Sequence, residues 1–336
     1  MYTKKDICII TTTYNRPKDI DLEIKSLINY KNFAGKHIIL DQSKNNETKK
    51  VFEKYTNKYS ALRYKHFNVA SKIISLNNGI DTALKEKYKI ICILDDDVEV
   101  KKDILSIALR EFNSNEEIKG VGAIQIEPLL PYNLLKFKIK NSLLKFFLLP
   151  NFGKDTYRIL GPYGHNSVLH TNKDLRNCQW MPGFLNFYKA EVFEKYRLPG
   201  RIGYEVLSDI DIGYSAFKRN GLGSLVIPKD MRVYHHMSSV ERYPNKKRIF
   251  VNHEDHITFY YRYFHNLPGF LKLFWELFWI NILNLGRAVA IPRKENFLRL
   301  SYLWQALFYC FKYRKQIKAG KSRMFLNSDL SMKESF

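Results

Sequence analysis

Ile93-Leu94-Asp95-Asp96-Asp97-Val98 decides the fold: an apolar run ends abruptly in three successive acids. Lys89–Leu94 reads as a short buried strand, so the acids stand at its C-terminal end. Three adjacent carboxylates repel one another, and a divalent cation is the simplest offset, because hard oxygen ligands suit Mg²⁺ or Mn²⁺. While the chain stays extended, side chains at i and i+2 share a side. Asp95 and Asp97 can therefore converge on one metal–diphosphate unit. The plainer alternative is a solvated acidic turn, which is unusual in a chain this basic.

Working outward, two more apolar segments precede the acids, Ile7–Thr12 and His37–Leu40, with helix-like stretches between. The order βαβαβ predicts a parallel sheet whose strand C-termini share one edge. Ligands bind along that edge in open α/β sheets. The first strand exits into Thr11-Thr12-Thr13-Tyr14-Asn15-Arg16-Pro17, where hydroxyls and an aromatic can bond and stack on a base. A strand exit followed by a helix with Pro17 near its start accounts for the same residues. The second strand exits into Asp41-Gln42-Ser43. There the carboxylate is placed to accept from a base N–H or a ribose hydroxyl, or to cap the next helix.

The 336 residues carry 55 Lys+Arg against 33 Asp+Glu, a formal net charge of +22. With 45% hydrophobic and 15% aromatic residues the chain has material for a core, which excludes disorder and collagen-like repeats. The length allows one large domain or two ordinary ones. Four scattered cysteines (Cys8, Cys92, Cys178, Cys310) form neither a CxxC pair nor a staple pattern and predict a reducing compartment. The start, Met1-Tyr2-Thr3-Lys4-Lys5-Asp6, does not read as a signal peptide. The charge asks for a negative partner: nucleic acid, anionic lipid or a phosphorylated substrate.

Taken together, these motifs resemble the family 2 glycosyltransferases, which have the GT-A fold. The resemblance begins at Ile9-Ile10-Thr11-Thr12-Thr13-Tyr14-Asn15-Arg16-Pro17 and continues through Leu40-Asp41-Gln42-Ser43 and Leu76-Asn77-Asn78-Gly79-Ile80-Asp81-Thr82-Ala83. The family's Asp-x-Asp motif then reads Asp95-Asp96-Asp97. The resemblance implies an inverting, metal-dependent transfer from a nucleotide sugar. In it Thr12 and Tyr14 line the nucleotide pocket and Asp41 holds the base. Asp95 contacts the ribose or donor sugar, and Asp97 binds the metal. Arg16, Asn77 and Asp96 belong to the implied nucleotide-sugar site. Leu76 stands where the family commonly has Arg, and Lys72, slightly upstream, is the substitute cation.

The acceptor half resembles the family in three further places. Gln179-Trp180-Met181-Pro182-Gly183-Phe184 matches the acceptor side of the donor sugar, with Trp180 and Gly183 as its residues. Gly183 permits close backbone approach, although Pro-Gly is also an ordinary turn. Tyr204–Tyr214 matches the family's Glu-Asp motif with Ser208 in the Glu position. This makes Asp209 the candidate base and Asp211 the second choice, unless Ser208 and Asp209 simply cap the following helix. Arg232-Val233-Tyr234-His235-His236 matches a metal-binding histidine. Neighbouring side chains on a strand point apart, so His235 is assigned to the metal and His236 to the acceptor or solvent. In Tyr260–Asn266, His265 stands where Arg is common. No Gln-x-x-Arg-Trp motif occurs, which implies limited sugar addition rather than polymer extrusion.

The basic excess interleaves with aromatics in Pro131–Pro150 and in the last third. Helices are predicted over Phe270–Ala290 and Asn296–Tyr313. In the first, Lys272, Glu276 and Arg287 fall within about 60° of one another, which leaves a broad apolar face. Neither segment reads as a span. Both fit helices lying in a membrane interface, or packed in a core. The expected organisation is a catalytic domain over 1–255 (nucleotide half about 1–125, acceptor half about 126–255) and a helical, membrane-interfacial region over 256–336. The expected protein is a peripheral enzyme on the cytoplasmic face of the plasma membrane. Its donor would be a UDP-sugar and its acceptor a polyprenyl-diphosphate-linked saccharide used in surface polysaccharide or glycan assembly. A metal-dependent nucleotidyltransferase and a nucleic-acid binder are the rival readings, nucleic acid ranking last among the negative partners.

Overall fold

The computed structural model describes residues 1–68, 70–126, 159, 173–198, 207–236 and 245–320. The cationic stretch 131–150 and residues 199–206, with Tyr204 and Glu205, lie outside them. Ten strands and ten α-helices are described. The strands are β1 (Ile7–Thr13), β2 (Lys36–Asp41), β3 (Leu62–His66), β4 (Ile90–Asp95), β5 (Val98–Val100), β6 (Gly120–Gly122), β7 (Ile124–Gln125), β8 (Leu185–Lys189), β9 (Leu225–Val226) and β10 (Arg232–His235). In the first half the helices are α1 (Pro17–Asn29), α2 (Glu47–Tyr55), α3 (Lys72–Lys85) and α4 (Ile104–Ser114). After them come α5 (Glu191–Glu194), α6 (Ser208–Asn220), α7 (Asn245–Tyr263), α8 (Leu267–Ala290), α9 (Lys294–Lys312) and α10 (Arg314–Lys318).

Seven strands form one sheet in the order β3-β2-β1-β4-β8-β6-β9. The βαβ units run parallel as expected, and β8 enters antiparallel to both β4 and β6. Each predicted strand is present, the first two slightly longer and the third shifted by one residue, and β3, too polar to stand out in the sequence, completes one edge. Alternation explains why the sheet is covered on both faces. Cys8, Ile10, Ile91 and Ile93 face one core with α3 and α6, while Ile7, Ile9, Ile90 and Cys92 face the other with α4. Gly79 lets α3 approach closely: a Cβ there would stand 2.7 Å from the Ile10 side chain and 2.8 Å from Leu40. All four cysteines are buried.

The helix predictions held in type, with α8 and α9 starting three and two residues earlier than expected. Asn266 caps α8 by accepting from the Gly269 N–H at 2.7 Å, and Pro268 occupies the first turn, where its missing N–H costs nothing. The expected division at 255/256 falls inside α7. Among the described residues no helix is long and apolar enough to cross a membrane.

Candidate active site

The first strand ends in a tight exit held by Asn15, whose φ of 55° puts a short polar side chain in the left-handed region it tolerates. The Asn15 N–H donates to Ser43 Oγ at 2.8 Å, and its Oδ1 accepts from the Lys44 N–H at 3.1 Å. The loops after β1 and β2 are thereby stitched together. Asp41 is buried beneath them: its Oδ1 accepts from the Ser43 N–H at 2.9 Å and its Oδ2 from the Tyr64 hydroxyl at 2.7 Å. As observed, then, it organises this loop pair from the interior.

At the end of β4 the three acids take three different environments. Asp95 closes the strand opposite Thr12 of β1, and its Oδ1 accepts from Lys72 Nζ at 2.7 Å. Lys72 is the first residue of α3, directly after the cap Ser71, so the helix start aims this cation at the acids. Asp96 turns inward to Arg16, 3.0 Å from its Nη1. Burial pushes Asp96 up to about 7, against the pull of Arg16. Asp97 turns back toward β10, where His235 Nε2 lies 3.1 Å from its Oδ1. The register fixes this meeting, because β5 pairs antiparallel with β10 and sets Val98 opposite His235. Phe184 stacks on the imidazole at 5.1 Å. Burial works against a charged His235, and the hydrogen bond and charge of Asp97 outweigh it, so its pKa is raised.

Asp95, Asp97 and His235 each place one ligand atom within 4.8 Å of the others. Two carboxylates and an imidazole suit Mn²⁺ or Mg²⁺, and the spacing is that of groups able to close on one ion. The residues therefore fit the expected metal.

Beside this cluster opens a cavity of about 340 Å³, lined by Lys72, Asp95, Trp180, Gly183, Asp209 and His235 among others. Asp209 lies in the first turn of α6, where the Ile210 N–H faces its carboxylate. Desolvation nonetheless pushes it up to about 6, with Lys72 pulling down and Asp95 adding to the rise. The helix N-cap is Leu207, with no side-chain bond, so neither Ser208 nor Asp209 is the cap. Gly183 makes room for the acid: a Cβ there would stand 2.9 Å from the Asp209 Cβ and 3.2 Å from its Oδ2. Gly213 seats α6 on the same segment, 2.7 Å from the Trp180 Cα when a Cβ is added. Gly183→Ala is expected to lower kcat by about tenfold or more with little change in thermal midpoint, since small displacements of a reacting group are costly. Steady-state kinetics beside a melting curve measures this.

Besides Asp41 and Asp96, two more residues expected at the site are placed off the cavity. Asp211 is buried on the far side of the first turn of α6, ion-paired with Arg262 and accepting from the Tyr263 hydroxyl at 2.6 Å. It does not line the cavity; it ties α6 to α7. Removing one member of such a pair strands the other, so Asp211→Ala is expected to cost about 3 kcal/mol of stability. Chemical denaturation reads that loss. Asn77 also lies off the cavity, donating to the Leu198 carbonyl at 3.0 Å. Leu76 packs into the core at the cavity wall, where Lys72 also stands, bonded to Asp95. His236 pairs with Glu99 at 3.1 Å, and His265 packs edge-on against Tyr260 and Tyr261.

Sequence reasoning missed Asn186 and Tyr188. Both line the cavity, and the Asn186 Oδ1 and Tyr188 hydroxyl are buried with no partner among the described residues. The signal was available: they alternate along β8 with Leu185 and Phe187, which pack into the opposite core.

Comparison with known proteins bears on the fold. No curated protein sequence matches the chain significantly. Among solved structures, S. aureus TarS in complex with UDP-GlcNAc superposes with a TM-score of 0.55 at 13% identity, covering 90% of this chain and 79% of that one. A mannosyltransferase of Pyrobaculum calidifontis with GDP-Man and Mn²⁺ gives 0.49 at 14% identity, over 94% and 84%. Glucosyl-3-phosphoglycerate synthase of Mycobacterium tuberculosis with Mn²⁺, UDP-Glc and phosphoglyceric acid gives 0.48 at 16%, over 76% and 78%. The first of these shows the GT-A-like fold. Asp209 and His235 lie beyond the stretch matched by the family model, so their placement rests on the geometry above. Residues 8–173 match the model of glycosyl transferase family 2, and within that stretch the sheet carries its acids at the expected strand end.

Proposed function

We propose that this glycosyltransferase moves a sugar from a nucleotide diphosphate sugar, a UDP-sugar, to a hydroxyl of a lipid-linked saccharide, inverting the anomeric centre. The observation that carries the reading is that Asp209 and the Asp95–Asp97–His235 cluster open on one cavity. The carboxylates lining that cavity are Asp95 and Asp209. With Asp95 committed to Lys72 and the metal position, Asp209 is left for proton transfer. It takes the acceptor O–H proton while the acceptor oxygen bonds to the anomeric carbon, and the bond to the diphosphate breaks with its electron pair leaving on the phosphate oxygen. A divalent ion at the cluster supplies charge stabilisation to the departing diphosphate. Lys72 adds a cation at the same wall. Thr12, Tyr14 and Arg16, at the adjoining strand exit, form the nucleotide end of the site, consistent with the UDP-GlcNAc complex of the similarly folded TarS. A lipid-linked acceptor places the enzyme at the cytoplasmic face of the plasma membrane.

The test is the stereochemistry of the product. From an α-linked donor, the anomeric proton of the purified product is expected to show β configuration by NMR. An α product would replace direct displacement with a two-step or retaining route.

A further inference from the structure

The last helices end the described chain with a surface that a water-soluble fold does not need. Along α8, Phe270, Phe274, Phe278 and Ile282 repeat every four residues, and along α9 Trp304, Phe308 and Phe311 continue the pattern; all are exposed. Phe274 is 65%, Trp304 60% and Phe308 70% accessible. The inner side of the pair is already used. Leu273 of α8 and Ala306, Tyr309 and Cys310 of α9 pack with Phe250, Val251, Ile257 and Tyr260 of α7. What remains is a broad apolar face, far larger than the scattered surface hydrophobics of ordinary soluble domains.

Charge decides what covers it. Residues 267–320 carry nine Lys+Arg and two acids, Glu276 and Glu295. Glu276 is turned inward and buried, so the outer face carries cations almost alone. Arg293 and Lys294 lie at the turn between the helices, and Lys312, Arg314 and Lys315 at the far end of α9. A second copy laid face to face would set this positive rim against its own image. An anionic phospholipid surface matches both parts, with headgroups for the rim and acyl chains for the Phe and Trp stripe. Neither helix is long and apolar enough to cross. At about 1.5 Å per residue α8 is about 36 Å long, enough to lie along the interface as a raft.

We infer that α8 and α9 form one docking surface for an anionic bilayer, lying in the interface plane. This stands apart from the proposed chemistry, because vesicle binding is measured without donor or acceptor. Flotation of the full chain with phosphatidylcholine vesicles, with and without phosphatidylglycerol, is the experiment. The parent is expected to float with the anionic vesicles and only weakly with neutral ones. The exposed-site variant Phe274→Ser/Phe278→Ser/Trp304→Ser/Phe308→Ser is expected to bind roughly tenfold or more weaker at an unchanged melting midpoint. A second measurement needs no variant: brominated lipids are expected to quench Trp275 and Trp304 fluorescence in the parent. The inference is overturned by a parent that does not float, by a variant that floats equally well, or by unquenched tryptophans. It is equally overturned if the parent is a dimer that the variant makes monomeric while neither binds vesicles.

Discussion

Asp209→Asn is expected to lower kcat by about 10²–10⁴, the usual worth of a positioned general base, while leaving donor binding intact. Pre-steady-state transfer and isothermal titration with the donor separate the two quantities. The acid limb of the pH profile makes a second reading of the same residue. Because burial pushes Asp209 up to about 6, the base form is lost as pH falls through that value. Activity of the parent should fall on the acid side of about pH 6, and the Asn variant should lack that limb. The stability sign is opposite to that of an ordinary salt-bridged acid. A carboxyl whose folded pKa lies above its unfolded value of 3.8 costs stability as pH rises between the two, and the cost is complete above the folded value. Asp209→Asn should therefore melt no lower than the parent at pH 7.5. A variant that is inactive because it is unfolded would be recognised at once.

The second large effect belongs to the metal cluster. Asp97→Ala removes the central ligand of three, since Asp97 both contacts His235 and stands two residues from Asp95. Charge stabilisation of a leaving diphosphate is worth several kcal/mol, so transfer should fall by roughly 10³ or more, and raising Mn²⁺ should not restore it. Chelation of the parent should reproduce the loss reversibly. His235→Ala should be milder, weakening Mn²⁺ binding and leaving partial activity at high metal, because two carboxylates remain. Equilibrium Mn²⁺ binding measured alongside activity distinguishes a lost ligand from a collapsed site. If Asp97→Ala retains full metal-dependent turnover, the cluster is not the metal site.

Much of this site was legible because its residues sit where chain direction and alternation put them. The apolar runs before Asp95 and before Thr12 specify parallel strands, and the acids follow at the sheet edge as the topology requires. Asp95 and Asp97 converge as expected, although through a turn at Asp96 and Asp97 rather than along an extended strand. His235 is placed by the resemblance and by strand alternation, and the pairing of β10 with β5, which begins one residue after Asp97, brings it to the acids. Legibility failed where a role depends on a partner distant in sequence. Asp211 has the same local pattern as Asp209, two residues away on one helix start, and only Arg262 and Tyr263 on α7 reveal it as a brace. Asp41 stands at a strand end as a ligand-binding acid would, yet Tyr64 and the Ser43 N–H claim it from inside. Asp96 is grouped with its neighbours in the sequence, but the turn that follows β4 points it inward, where Arg16 receives it. Asn186 and Tyr188 escaped because a polar residue in a buried strand reads as tolerated rather than used.

The resemblance and the structure also divide the work between two halves of the chain. The nucleotide half carries the family match, and Asp209 and His235 arrive from α6 and β10 beyond it. The +22 charge belongs largely elsewhere. Around the cavity acids and cations alternate, Lys72 with Asp95 and Arg16 with Asp96, whereas the C-terminal helices hold cations almost unopposed. A basic chain thus keeps an acidic metal pocket.

The most direct measurement incubates the purified chain with a panel of nucleotide sugars and a lipid-linked acceptor, with and without Mn²⁺, and identifies the nucleotide released. The account predicts a nucleoside diphosphate, formed from one class of donor, dependent on the metal and absent with Asp209→Asn. Release of pyrophosphate, or sugar transfer that persists undiminished in the Asp209→Asn and Asp97→Ala variants, would contradict it.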